Sequence, residues 1–245
     1  MLRLFSLALF IAAWFCGSWI AGERMLPAPD TVLAAILAEA RSGALFFHLG
    51  ATLARVFLAF TLAMTAGAAI GLLMGRVATA DRLGDPWLVV LLNLPALVII
   101  VLAYVWGGLT ETAAILAVAV NKLPNAIVTI REGARALDPG LDDMARVFAM
   151  PRWKTLRHVV APQLAPYTAA AARSGLSLVW KIVLVVELLG RPNGVGFEIG
   201  VAFQLFDVTR ILAYAIAFVV VMLAVEILLV QPFERRASRW RLRPA

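Results

Sequence analysis

The chain has 245 residues, of which 62% are hydrophobic and only 15% charged, and a net charge of +7. An ordinary soluble chain is about 45–50% apolar and about 25% charged. The composition therefore excludes a soluble globular protein and intrinsic disorder, and a lone cysteine, Cys16, excludes a disulfide scaffold.

A bilayer core about 30 Å thick needs about 20 helical residues, and the apolar runs match that length. Leu4–Gly22 is uncharged and longer than the roughly 7–15 residues of a signal-peptide core, which predicts a retained first span over 4–22. Pro27 and Pro29 then break the chain, and Asp30-Thr31 predicts the cap of a short outer helix with Leu33, Ile36, Leu37 and Ala40 on one face. A second span covers 56–75. Its Gly67, Gly71 and Gly75 recur every four residues and form a stripe on which a neighbouring helix can pack closely. The third span, 86–108, is uncharged, and the fourth, 112–130, holds only Lys122. Pro124 is expected to break that helix and free backbone groups. The fifth, 169–190, contains Arg173, Lys181 and Glu187, and the sixth, 211–230, contains Glu226.

An even number of spans puts both termini on one side, and basic residues mark the inner side. With the termini inside, 14 of the 22 Lys/Arg fall on inner segments and 5 on outer ones. The charge is thus an orientation signal rather than a nucleic-acid footprint. The basic tail from Glu234 to Arg243 reads as an anchor on anionic lipid.

The longest inner loop, 131–168, has helical patterning. Asp138-Pro139 reads as an N-cap followed by the first helical residue. Leu141, Met144, Val147 and Phe148 follow at helical spacing, and Asp142 is placed to pair with Arg146. Pro151 separates this helix from a second one carrying Trp153, Leu156 and Val160, which Pro162 and Pro166 are expected to close before the fifth span. An apolar stripe on a water-facing loop either docks on another protein or folds back on its own bundle.

The loop resembles that of permease subunits of binding-protein-dependent ABC importers, whose pattern is E-A-A-x3-G-x9-I-x-L-P. Here Asp143-Met144-Ala145, Ala149, Val159, Ala161 and Pro162 stand at the same spacing, with Asp for Glu, Met for Ala, Ala for Gly, Val for Ile and Ala for Leu. Arg152-Trp153, Arg157-His158, Pro166-Tyr167, His48, Arg55, Trp106-x-Gly108, Pro124-Asn125, Glu187 and Gly194-Val195-Gly196 are similar to the nitrate/sulfonate/taurine branch. The resemblance implies an all-α membrane protein: a single permease domain over 1–245 with six transmembrane helices, the type I ABC importer permease fold, both termini inside, in a bacterial cytoplasmic (inner) membrane. It also implies two copies forming the pathway, two separate ATPase subunits carrying ATP and Mg, and a periplasmic or extracellular substrate-binding protein. Asp143, Met144, Ala145, Val147, Phe148, Ala149, Arg152, Trp153 and Pro162 would then couple to the ATPase. The Ala149 departure suggests a stiffer joint.

The residues agree with that division of labour. The chain has three lysines, Lys122, Lys154 and Lys181, and none follows a glycine, so it contains no phosphate-binding Gly-Lys-Ser/Thr. The outer stretch Gly190–Gly196 has no strand before it and reads as a re-entrant turn, and His48 lacks the companions of a metal ligand. No nucleophile–base pair or resident cofactor is expected, so the chain is read as a transporter subunit and not an enzyme. Charges inside a bilayer need partners or water. Asn121, Lys122, Asn125, Lys181 and Glu187 are the candidate pathway residues, and lysines with asparagines favour an anion such as nitrate, a sulfonate or a carboxylate. The other reading of Lys181 and Glu187 is that they neutralise partners on neighbouring helices. Arg173 and Glu226 are expected to snorkel to the inner face. A stand-alone secondary transporter or channel is the competing class; it would explain the lysines but leave the amphipathic loop unused.

Overall fold

The computed structural model describes residues 2–232, and within them the chain is helical throughout. The basic tail expected to anchor on lipid lies outside the described residues. In chain order the helices are α1 (Leu2–Ala21), α2 (Pro29–Arg41), α3 (Ala44–Arg76), α4 (Ala78–Asn93), α5 (Ala96–Gly107), α6 (Glu111–Arg135), α7 (Pro139–Val147), α8 (Arg152–Thr155), α9 (Ala161–Gly190), α10 (Val195–Gln204) and α11 (Val208–Val225). They cluster into two compact units, one of Met1–Arg55 with Val183–Leu223, the other of Val56–Ile182 with Ala224–Ala245.

Four stretches are long and apolar enough to cross a membrane: Ala44–Arg76, Glu111–Arg135, Arg152–Gly190 and Val208–Val230. The sequence predicts a straight third span, but the chain bends by 98° between α4 and α5, so this pair is a broken span or a re-entrant loop. The cause is local. Pro95 has no N–H to donate and forces the residue before it out of the helical region, and Leu94 is extended at φ −73 and ψ 127.

Prolines elsewhere do not end helices as their positions suggest. α6 runs unbroken through Pro124. The loop's second helix is not closed by Pro162 and Pro166 but continues into α9 through a π turn at Leu156–Val160, where Ala161 N–H donates to the Leu156 carbonyl. A π turn widens the backbone just before the proline ring, which relieves its clash with the preceding turn. The same device recurs at Glu226–Val230, two residues before Pro232.

In the first unit, α2 packs differently from its sequence pattern. Pro29 opens the helix behind an Ala28 cap, where Asp30-Thr31 was the expected cap. The buried residue is Val32, while Leu33 and Leu37 are exposed. In the second unit, the α3 glycines bring α6 into close contact. A methyl group at Gly67 or Gly75 would lie 2.5 Å from the Cβ of Ala126 or Ala134, and one at Gly71 would lie 2.7 Å from the Ile127 carbonyl oxygen. At the far end of this seam Ala134, Val160 and Leu164 form a small core with Leu72 and Leu137.

Because backbone rather than a flexible side chain meets Gly71, the helices can accept a larger residue only by separating. Gly71→Val is expected to destabilise the purified protein by roughly 1–3 kcal/mol, read as a lower melting temperature in detergent. An unchanged melting temperature would mean that the seam is looser than described.

Candidate functional site

Three groups of residues carry the chemistry. The first, in the unit of Met1–Arg55 with Val183–Leu223, is a buried polar network. Glu187 is 0% exposed and pairs with Arg55 at 2.6 Å. Its second oxygen accepts from the Thr52 hydroxyl at 2.9 Å and from Gly196 N–H at 2.9 Å. Arg55 also donates to the Asn193 carbonyl at 2.8 Å and to the Asn193 side chain. Glycine is required in the turn at two points: a methyl at Gly194 would strike the Glu187 carboxylate at 2.3 Å, and one at Gly196 the Leu184 carbonyl at 2.2 Å. The Gly194-Val195-Gly196 turn therefore wraps an internal carboxylate. A second part of the network starts at His48. Its Nδ1 accepts from Gly194 N–H at 3.1 Å, and its Nε2 lies 3.1 Å from Glu198. Arg210 bridges Glu198 at 2.8 Å and Glu39 at 3.6 Å, and the Tyr214 hydroxyl donates to Glu39 at 2.8 Å. Glu187, a candidate pathway residue in the sequence, thus neutralises a partner on a neighbouring helix.

The second group is the polar surface of α6 and α9. The two helices cross where Lys122 lies over Gly175; a methyl on that glycine would be 2.0 Å from Lys122 Cε. Lys122 is 1% exposed and has no hydrogen bond or ion pair among the described residues. Lys181 is exposed and likewise has none. Asn125 is exposed, and Asn121 and Thr129, four residues to either side, are half-buried. On α9, Ser174 and Ser177 share the exposed face of Lys181. Ser174, Ser177 and Thr129 were missed in the sequence, where only charged groups and asparagines were followed, although their spacing of three or four residues along the spans was visible. Arg173 and Glu226, expected to snorkel independently, lie 3.6 Å apart as an ion pair.

The third group is the loop. Asp138 caps α7 by accepting from Gly140 N–H at 2.8 Å. Asp142 does not pair with Arg146; it holds Arg76 at the end of α3, at 2.7 Å, and Arg146 takes Asp143 at 3.2 Å. Ala145 is buried. Val147, Phe148 and Trp153 are 82%, 73% and 68% exposed, Met144 is 40% exposed, and Arg152 and Pro162 are exposed beside them. The stripe is divided: Val160 packs back on Ala134 and Leu164, whereas Val147, Phe148 and Trp153 stay uncovered among the described residues. Ala149 closes α7 in the left-handed region at φ 48, with Ala149 N–H donating to Arg146 and Met150 N–H to Ala145, both at 2.9 Å. This is the Schellman ending that glycine adopts without strain.

Comparison with known proteins places this geometry. Residues 63–238 match the family described as binding-protein-dependent transport system inner membrane component. A putative aliphatic sulfonates transport permease of Bacillus subtilis strain 168 is 30% identical over 236 residues, covering 96% of this chain and 85% of the relative. A taurine transport system permease of Escherichia coli K12 is 25% identical over 242 residues, covering 96% and 88%. A bicarbonate transport system permease of Synechococcus elongatus is 28% identical over 200 residues, covering 81% and 70%. Among solved structures, an inward-facing crystal form of the MetNI methionine ABC transporter superposes with a TM-score of 0.68 at 17% identity, over 81% of this chain and 98% of that one. That likeness is one of fold.

Ala149 occupies the left-handed conformation that glycine favours, at φ 48, so the departure from glycine carries backbone strain. Ala149→Gly is expected to stabilise the loop by about 1 kcal/mol, the relief of the left-handed conformation less glycine's extra unfolded-state freedom. Slower proteolysis at the loop or a higher melting temperature would show it; an unchanged or lower value would contradict the strain.

Proposed function

The chain belongs to the family of inner membrane components of binding-protein-dependent transport systems, and from that premise we propose that it forms, with a second copy of itself, the membrane pathway of an ATP-driven importer for a small oxyanion. It is a transporter subunit and not an enzyme. ATP and Mg belong to two ATPase subunits, and substrate is delivered by a periplasmic binding protein. The whole chain, 1–245, acts as one permease domain with both termini and the 138–166 loop in the cytoplasm, the side its basic residues favour.

The observation that carries the reading is the loop's uncovered apolar tip. Val147, Phe148 and Trp153 are large, exposed and rimmed by Asp143 and Arg152. A hydrophobic centre with a charged rim is the make-up of a protein interface. Asp138, Ala145 and the Arg76–Asp142 pair hold the tip in shape beforehand.

The substrate class follows from two independent lines. The relatives are described as permeases for aliphatic sulfonates, taurine and bicarbonate, all of which present anionic oxygens. Exposed Lys181 shares a strip of one helix face with Ser174 and Ser177, whose hydroxyls donate to the Ala171 and Ser174 carbonyls, and α6 adds the amides of exposed Asn125 and half-buried Asn121; an ammonium group with amide donors suits an oxyanion. Lys122, buried beside Asn121, adds positive potential beneath the strip. Both Glu187 oxygens are occupied, so this reading leaves Glu187 out of the pathway.

Two variants separate coupling from conduction. Phe148→Asp puts a charge at the centre of the proposed interface and is expected to release the ATPase during co-purification while the permease keeps its melting temperature; undiminished retention would remove Phe148 from that interface. Lys181→Met is expected to lower anion uptake in reconstituted vesicles roughly tenfold or more, the value of one charge-assisted hydrogen bond, with the ATPase still bound. Uptake at the unmodified rate would return Lys181 to a role outside the pathway.

A further inference from the structure

A groove of about 640 Å³ in the second unit runs along the end of α3 and the start of the Arg152–Gly190 helix. Ala69, Leu72, Leu73 and Val160 line its floor and walls, and Arg76 and Arg152 stand at its rim. We propose that this groove binds one anionic phospholipid, with an acyl chain in the apolar part and the phosphodiester against the two guanidinium groups.

Three features support this occupant. The groove begins on residues of a membrane-spanning helix and ends at Arg76, the last residue of that span, so its change from apolar to charged follows the change from acyl chain to headgroup. Its lining includes two arginines and no acidic residue. Arg76 is paired with Asp142, at 2.7 Å, and Arg152 has no hydrogen bond or ion pair among the described residues. A guanidinium held near an interface recognises a phosphodiester through paired N–H groups. A bound lipid would bridge the span to the segment that leads out of the loop, and so tie the loop's position to the composition of the surrounding leaflet. The proposal depends on the chain spanning a membrane and is independent of the transported substrate.

The test uses the full chain assembled with its ATPase in vesicles of equal phosphatidylglycerol and phosphatidylcholine. A photoreactive benzoylphenylalanine replaces Leu73 in the groove or Leu62 on the exposed surface of the same helix, and adducts are identified by mass spectrometry. At position 73 phosphatidylglycerol adducts are expected to exceed phosphatidylcholine adducts roughly fivefold, the value of the one unpaired arginine, Arg152; at position 62 the ratio should be near one. Arg152→Gln leaves the Arg76–Asp142 pair in place and should cut the preference at position 73 roughly fivefold. Equal ratios at both positions, or a preference indifferent to Arg152→Gln, would overturn the headgroup site. Crosslinking of position 73 to the ATPase or to a second copy of the chain would overturn the lipid and make the groove a protein interface. ATP-dependent uptake by the same vesicles reports separately on the transport function.

Discussion

Arg55 and Glu187 form a buried pair 2.6 Å apart, 4% and 0% exposed, where little solvent can reach to replace a lost partner. A charge of this kind is strongly unfavourable alone and tolerable only in a closed set of hydrogen bonds. The pair therefore dictates its surroundings: Thr52 and the Gly196 N–H fill the second carboxylate oxygen, Asn193 accepts from the guanidinium through its carbonyl and its side chain, and Gly194 and Gly196 must lack side chains. From that turn His48 extends the set to Glu198, Arg210, Glu39 and Tyr214, so α2, α3, α9, α10 and α11 are all tied to one polar core.

The same constraint separates the polar residues by role. Glu187 is enclosed and satisfied, whereas Lys181 is exposed with no partner among the described residues. Both look alike in the sequence as charges in the fifth span. What distinguishes them is position around the helix: Glu187 faces the α3 hydroxyl and guanidinium, and Lys181 shares a face with Ser174 and Ser177. The loop and the strip are joined by continuous helix. From Trp153 to Lys181 the chain is helical, with a π turn in place of the interruption its prolines suggest, a length of about 40 Å.

Much of this was legible beforehand, for physical reasons. Run length gives the spans expected over 56–75, 112–130, 169–190 and 211–230, whereas the third is bent by 98° and the first appears among the described residues only as a shorter apolar helix, Ala8–Ala21; the α7 cap follows from Asp138-Pro139. The apolar stripe follows from large apolar residues at helical spacing among charges, but the pattern left open which of them the bundle covers. What escaped depended on partners distant in sequence. Arg76 claims Asp142 from 66 residues away, which displaces the local pairing with Arg146. Val32 is buried instead of Leu33, on a helix whose Glu39 takes its partners, Arg210 and Tyr214, from α11. Prolines misled twice in opposite senses. Pro95 bends the chain sharply, whereas Pro124 and Pro162 are absorbed by otherwise continuous helices, and only surrounding packing decides between these outcomes. Ala149 was visible as a departure from the family pattern, but its left-handed backbone was not.

The central claim is that this chain is the pathway of an importer driven by another subunit and supplied by a binding protein. Uptake of a labelled alkanesulfonate into vesicles, with ATP at the ATPase side and binding protein on the other, tests it most directly. The account predicts accumulation that disappears when ATP, the ATPase or the binding protein is omitted singly. Equal uptake by the permease alone, with no ATP present, would contradict it.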